Sequence, residues 1–142
     1  MRGLLDINVL IALLDGGHEK HLVARQWLIQ HASNGWSSSP ITQNGCVRIL
    51  SQPAYPNNVP TSKALTKLAA ACASPPHEFW SDAVSLLDAE TVRSDRIHGP
   101  RQLTDIYLLA LAVHHEGRFV TFDGSIAANA VRRATAKHLV VV

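Results

Sequence analysis

The alternation of apolar and polar residues is clearest between residues 102 and 124. The stretch Ile106–Val113 has no charged residue, and a helix that is apolar on every side is a buried helix. A glycine at the C′ position commonly ends such a helix, and Gly117 is placed to do so. The aromatic and β-branched residues of the segment RFVTFD then predict a strand that ends at Asp123. This helix–turn–strand unit therefore has one acid, Asp105, where the helix opens and another where the strand ends.

The N-terminal part of the chain repeats the same arrangement. Residues 2–6 (RGLLD) predict a short buried strand that ends at Asp6. Asn8 is a suitable N-cap for a helix over 9–14. After the turn Asp-Gly-Gly, apolar residues recur near the helical period over 18–32, which predicts a second helix. Its stripe consists of Leu22, either Trp27 or Gln26, and Ile29.

A third helix is predicted by its start signal. Ser39 is a favourable N-cap and Pro40 suits the first helical position, so we expect a helix over 41–50 after a short strand at 36–39. Gln43, in its first turn, heads an apolar stripe with the same spacing as the residues that follow Asp105. The later predicted elements are a loop over 51–60, a helix over 61–73, a strand within 77–87, a helix over 125–135 and a strand over 139–142.

Strands that alternate with helices predict an α/β fold of three layers, α/β/α, around a central and mainly parallel sheet. A length of 142 residues fits a single domain, which we assign to residues 1–142. Hydrophobic residues make up 46% of the chain and charged residues 17%, which is typical of a globular protein and excludes a disordered one.

Composition also limits where the protein works. No apolar run approaches the roughly 20 residues of a membrane span, and no cleavage site follows the apolar N-terminus, so we expect neither a membrane segment nor a signal peptide. The two cysteines, Cys46 and Cys72, lack the spacing of a metal site. We interpret both as free thiols in a reducing cytoplasm.

Charge is distributed unevenly along the chain, although the net charge of +2 is too small to indicate a nucleic-acid partner. No Asp or Glu occurs between Glu19 and Glu78, so an acidic site must draw on the two ends of the chain. The C-terminal half is rich in arginine. Basic residues around an acidic cleft suit a polyanionic substrate, although a solvated surface explains the same arginines equally well.

Three aspartates stand at the ends of predicted elements: Asp6, Asp105 and Asp123. In an open α/β sheet, ligands bind beyond the carboxyl ends of the strands, where these acids should meet. Carboxylate oxygens select hard divalent cations such as Mg²⁺ or Mn²⁺. Each aspartate also has a structural interpretation, as a helix cap or as part of a turn. An acid inside LLDINVL is nevertheless costly unless something pairs it, which favours a metal site.

Four segments in this order resemble the PIN domain, and their spacing is similar to that of the VapC toxins of bacterial toxin–antitoxin pairs. The segments are LLDINVL (4–10), SPITQNG (39–45), RQLTDIYLLALA (101–112) and VTFD (120–123). The resemblance covers the whole chain and implies a PIN-like fold and an endoribonuclease that depends on Mg²⁺ or Mn²⁺. It also implies a homodimer silenced by a cognate VapB-type antitoxin. The aromatics Trp36 and Tyr55, which look exposed in the sequence, agree with such an interface.

The resemblance assigns residues as well. It puts catalytic, metal-binding acids at Asp6, Asp105 and Asp123, and supporting hydrogen bonds at Asn8 and Thr121. A further acid of the family falls on Gln43, which is a departure from the pattern. A neutral amide there lowers the charge of the site by one, which should weaken its hold on metal. Gln43 can also simply cap its helix or bond a neighbouring side chain.

Two other classes of protein remain as alternatives. A phospho-accepting receiver domain has a similar length, but it needs a phosphorylatable aspartate in the middle of the chain, where this one has no acid. A PIN-like module that binds RNA or a partner, with weak or no nuclease activity, is supported by Gln43 alone. The histidine pairs 18/21 and 114/115 lack ligand partners in a metal-binding pattern. The three tryptophans fit a core or an interface better than a base-stacking surface.

Overall fold

Five short strands form the centre of the molecule in the computed structural model, which describes all 142 residues. The strands are β1 (Gly3–Leu5), β2 (Trp36–Ser38), β3 (His77–Phe79), β4 (Arg118–Thr121) and β5 (Leu139–Val141). Their order across the sheet is β3-β2-β1-β4-β5, and every neighbouring pair is parallel. The α/β fold class with a parallel sheet is thereby confirmed. A receiver domain of the flavodoxin-like type would have the order 2-1-3-4-5 and is excluded.

Five α-helices connect and cover these strands. They are α1 (Ile7–Leu14), α2 (His21–Gln30), α3 (Pro40–Leu50), α4 (Thr61–Cys72) and α5 (Leu103–His114). The predicted start of α3 is confirmed, because Ser39 is its N-cap, accepts a hydrogen bond from the Thr42 N–H and is followed by Pro40 at the first position. No helix is both long enough and apolar enough to cross a membrane. Neither cysteine is in a disulfide, as expected.

The sheet separates two hydrophobic cores, which makes the domain three-layered. Successive side chains of a strand point to opposite faces. Leu5 and Val120, which are paired in register, belong to the core that contains residues of α1 to α4. Leu4 and Phe119, the preceding pair, belong to the core that contains α5. Because β1 lies in the middle of the sheet, both leucines are completely buried, and the residue that follows the strand emerges at the centre of the sheet edge.

The predicted helix over 125–135 is wrong. This segment contains only a short 3₁₀ turn, Ala128–Ala130. Its backbone pairs instead with the segment around Val92, through an isolated antiparallel bridge to Val131 and hydrogen bonds from Arg93 N–H to Ala130 C=O and from Arg132 N–H to Thr91 C=O. These tertiary hydrogen bonds override the local helical propensity. The strand predicted within 77–87 is limited to β3, and residues 83–87 form a loop.

Helix α2 is shorter than predicted and turns a different face to the core. Its buried residues are Ala24 and Trp27, whereas the predicted stripe residues Leu22 and Ile29 are 75% and 65% exposed. All three tryptophans are buried, which confirms that they are not an open stacking surface. Trp36 is only 5% exposed and therefore gives no support to a dimer interface.

The end of α5 differs from the sequence prediction in one residue. Glu116, not Gly117, takes the left-handed C′ position, with φ of 56°. The Gly117 N–H closes the turn by donating to the Ala112 C=O at 2.8 Å, as in a Schellman motif. Gly117 is required for another reason, since a Cβ there would lie 2.5 Å from the Trp80 ring and 2.7 Å from the Arg2 C=O.

Candidate active site

Asp6 is the residue that follows β1, and the structure fixes both of its carboxylate oxygens. One oxygen accepts from the Ile7 N–H at 2.7 Å, so that Asp6 is the N-cap of α1, and the prediction of Asn8 as the cap is wrong. The other oxygen accepts from the Thr121 hydroxyl at 2.7 Å. Burial raises the pKa of Asp6, these two hydrogen bonds oppose that rise, and the charge of Asp123 adds to it. The two hydrogen bonds thus hold the carboxylate in one orientation, and burial makes its ionised form unfavourable in free energy.

Thr121, the last residue of β4, links two of the three acids. Its side chain is completely buried. The hydroxyl donates to Asp6 and accepts from the backbone N–H of Asp123 at 3.1 Å. The backbone N–H of Asp6 in turn donates to the Val120 C=O at 2.9 Å. The pairing of β1 with β4 therefore brings the N-terminal acid beside the acid that follows β4.

Asp105 lies in the first turn of α5 and is half-buried. Its carboxylate makes no hydrogen bond or ion pair within the protein. Burial, together with the smaller effects of the charges of Asp6 and Asp123, raises its pKa to about 6. Desolvation and nearby like charges both disfavour the ionised form of a carboxyl group, and a bound cation would favour it.

Asp123 differs from the other two acids because it is exposed. One oxygen, Oδ1, accepts from both the backbone N–H (2.8 Å) and the hydroxyl (2.6 Å) of Ser125. These hydrogen bonds lower the pKa of Asp123. The second oxygen has no partner and remains available to a ligand. Sequence reasoning did not identify Ser125, although an Asp-Gly-Ser turn is a known signal for this side-chain-to-backbone hydrogen bond.

Asp105 and Asp123 line a common cleft of about 220 Å³ at the carboxyl edge of the sheet. The lining residues are Arg101, Gln102, Asp105, Ile106, Asp123, Ser125, Ile126 and Ala127. We call this cavity the acid cleft. Asp6 is not among its walls, but its charge reaches Asp105, as the pKa of that residue shows. The convergence of the acids at one sheet edge therefore follows from the strand order.

The donor atoms available here are oxygens only. No three His, Cys, Asp or Glu side chains lie close enough together to hold a metal ion directly. Mg²⁺ retains several waters and is usually held by one or two carboxylates, so a pair of acids with a third reached through water fits this ion. The histidines lie elsewhere: His21 bonds the Ala12 C=O at 2.7 Å, and His115 stacks on Trp80.

The two remaining predicted residues are not in the acid cleft. Asn8 is exposed on α1, and its side chain makes no hydrogen bond. Gln43 donates from Nε2 to the Ser38 hydroxyl at 2.9 Å, and Ser38 is also hydrogen-bonded to His77 Nε2 at 2.8 Å. The Gln43 side chain lines a separate groove between α3 and α4. Its carbonyl oxygen is unpaired, so one neutral oxygen stays free beside the end of β2.

Comparison with known proteins identifies the family of this chain. The PIN domain model matches residues 3–131. Ribonuclease VapC44 of Mycobacterium tuberculosis is 54% identical over 139 residues, 98% of both chains. Ribonuclease VapC39 of the same organism is 41% identical over 131 residues, 92% of this chain and 94% of the relative. The chain therefore belongs to the PIN-domain family and, within it, to the VapC group.

Solved structures show the same fold at low sequence identity. The crystal structure of VapC20 from Mycobacterium tuberculosis, a toxin that cleaves the sarcin–ricin loop, superposes with a TM-score of 0.63 at 16% identity, over 93% of this chain and 98% of that one. VapBC2 from Rickettsia felis, solved with a DNA fragment from its promoter, gives a TM-score of 0.57 at 15% identity and covers 87% and 89% of the two chains. Both similarities concern the fold alone.

Proposed function

We propose that this protein is a metal-dependent endoribonuclease that hydrolyses RNA phosphodiester bonds as the toxin of a VapBC-type toxin–antitoxin pair. The observation that carries the proposal is the approach of Asp6, Asp105 and Asp123 at one sheet edge, where burial of Asp105, followed by the charges of the other two acids, raises the pKa of Asp105 to about 6. Whole-length similarity to VapC ribonucleases supports the substrate class.

Each acid would contribute a different property to the site. Asp6, fixed by Thr121 and the Ile7 N–H, offers an oriented carboxylate that needs no reorganisation. Asp105 offers both oxygens, since neither has a protein partner. Asp123 offers the oxygen that Ser125 leaves free. These residues would hold Mg²⁺, or Mn²⁺, with waters completing the coordination.

A divalent cation bound there would lower the pKa of a water and neutralise charge that develops on the phosphate. Asp105 has to be ionised to bind the cation, so acidification below its pKa opposes binding. Thr121 maintains the positions of Asp6 and Asp123 during the reaction, because its hydroxyl contacts both residues.

The test is incubation of a mixed RNA pool with the purified protein in Mg²⁺, in Mn²⁺ and in EDTA. We expect cleavage with either cation and none with EDTA. Asp6→Asn, Asp105→Asn and Asp123→Asn should each abolish cleavage while the protein remains folded. Near-wild-type activity of any one variant at saturating Mg²⁺ would remove that residue from the ligand set.

The proposed partners are an RNA substrate, a VapB-type antitoxin laid over the acid cleft and a second copy of the chain. The location we propose is the cytoplasm, where the free thiols Cys46 and Cys72 would remain reduced. The dimer rests on the family alone, because Trp36 is buried and Tyr55 is half-buried with its hydroxyl donating to Asp15. Light scattering at micromolar concentration tests it, and a monomer would contradict it. Loss of cleavage on addition of the cognate antitoxin tests the other partner.

A second candidate is a PIN-like module that binds RNA or a partner with weak or no nuclease activity. Gln43, which stands where the family has an acid and is engaged by Ser38, favours this candidate. The cleavage assay separates the two functions, since a binding module would shift RNA in a gel without cutting it in either cation.

A further inference from the structure

Arg101 is the only basic residue that lines the acid cleft. It lies in the 3₁₀ turn Pro100–Gln102, immediately before α5 and one helical turn ahead of Asp105. Its side chain is exposed. Although two carboxylates share the cleft with it, Arg101 forms no ion pair, because no acid oxygen lies within 4 Å of its nitrogens.

Most other arginines are already engaged with the protein. Five have a partner: Arg2 with Glu78, Arg96 with Asp95, Arg93 with the Asn129 C=O, Arg132 with the Ala89 C=O, and Arg118 beside the Trp27 ring. The four without one are Arg25, Arg48, Arg101 and Arg133. Three of these line other cavities, so Arg101 is the one free guanidinium at the acid cleft.

We propose that Arg101 binds a phosphate of the RNA substrate and positions the strand across the acid cleft. This assignment rests on the proposed ribonuclease function. A polyanion that approaches three carboxylates is repelled unless a cation meets it. A guanidinium can donate two parallel hydrogen bonds to phosphate oxygens, and an arginine without a protein partner gives up no ion pair when it does so.

The role predicts opposite effects on substrate and metal. Arg101→Gln should raise KM for RNA by about tenfold, with a smaller change in kcat, because a phosphate contact is lost from the bound state. The same substitution removes a positive charge beside the acids, so the midpoint of Mg²⁺ binding should fall. A residue that only maintains the fold would not move these two quantities in opposite directions.

Arg133→Gln is the matched control, since Arg133 is also exposed, unpaired and outside the acid cleft. Binding is measured by the anisotropy of a labelled single-stranded RNA of mixed sequence, in EDTA, so that no cleavage occurs. The slope of log affinity against log salt should become shallower by about 0.7 in Arg101→Gln, the value for one phosphate contact on a single strand. Arg133→Gln should match the wild type. Arg101→Lys should recover the slope but only part of the affinity, because lysine keeps the positive charge but cannot donate the two parallel hydrogen bonds of a guanidinium.

Two results would overturn the assignment. In the first, the wild type cleaves RNA and Arg101→Gln has the same KM and the same salt slope as the wild type. Arg101 would then not belong to the substrate site, and the ribonuclease proposal would remain intact. In the second, Arg133→Gln loses as much RNA affinity and salt slope as Arg101→Gln, which would show a general effect of net charge. If the wild type neither bound nor cleaved RNA, the proposed function itself would fail.

Discussion

Replacement of Asp105 by asparagine should stabilise the metal-free protein while abolishing cleavage. The pKa of Asp105 is about 6 in the folded protein and 3.8 in the unfolded chain. The folded state therefore binds this proton more tightly, and ionisation of Asp105 works against folding. Below pH 3.8 the carboxyl is protonated in both states and carries no penalty. The penalty grows as the pH rises from 3.8 to 6 and is complete above 6.

The magnitude follows from the size of the shift. A difference of about 2 pKa units corresponds to about 3 kcal/mol at 1.36 kcal/mol per unit. Because Asp105 is only half-buried, solvent screening reduces this to about 1–2 kcal/mol. Asparagine also gives up the favourable interaction of an acid with the N-terminus of α5, about 0.5 kcal/mol. A net gain of about 1 kcal/mol is expected at pH 7.5, or roughly 3 °C in Tm.

Urea unfolding of wild type and Asp105→Asn in EDTA, at pH 7.5 and pH 4.5, measures this gain. It should be fully present at pH 7.5 and reduced to about a third at pH 4.5. The comparison cancels the titrating groups that do not interact with Asp105. Glu19→Gln, which removes an exposed acid with no ion pair, is the control and should change neither value. Addition of Mg²⁺ at about 100 times its Kd should stabilise the wild type by about 2.7 kcal/mol and the variant by less. A variant no more stable than the wild type at pH 7.5, or equally favoured at both pH values, would refute the account of Asp105.

Three further substitutions test other contacts. Thr121→Val removes the hydroxyl that donates to Asp6 and should lower the free energy of unfolding by about 1–3 kcal/mol. Because that hydrogen bond lowers the pKa of Asp6, its loss should move the acid limb of the pH–rate profile to higher pH; an unchanged profile would contradict the role of Thr121. Gln43 lies outside the acid cleft, beside the end of β2. Gln43→Glu adds a negative charge there and should lower the midpoint of the Mg²⁺ titration by about tenfold, which is about 1.4 kcal/mol, and Gln43→Ala should cost less activity than any of the three Asp→Asn changes; an unmoved midpoint in Gln43→Glu would show that position 43 does not act on the metal. Glu116→Gly relieves the left-handed backbone at φ 56° and should raise the free energy of unfolding by about 1 kcal/mol, as measured by urea unfolding; an unchanged or lower value would contradict backbone strain at this position.

The sequence was sufficient to predict the elements whose signals are local. The apolar run of α5 and the N-cap and proline that start α3 occur where the residues predicted them. The β-branched strand β4 also begins as predicted, but it ends at Thr121, two residues before Asp123. The meeting of the acids could also be inferred, because parallel strands end at a common edge. The sequence could not show that Asp105 would be left without a partner.

The errors arose where distant parts of the chain decide the outcome. Helical propensity over 125–135 is overridden by hydrogen bonds from the segment around Val92. Asp6 replaces Asn8 as the N-cap because α1 begins at Ile7, two residues earlier than the helix signal suggested. The Ser38–His77 pair that engages Gln43 joins residues 39 positions apart, and no local pattern predicts it.

The pairing of β1 with β4 has a consequence for synthesis of the protein. Asp105 and Asp123 belong to one helix–turn–strand unit, but Asp6 reaches them only when the first strand is paired with the fourth along the chain. A nascent chain that has emerged only as far as α4 contains one of the three acids and none of the acid cleft. The proposed nuclease therefore cannot assemble on a growing chain until β4 has left the ribosome, so the ribosomal and transfer RNAs around it do not meet a complete active site before that point.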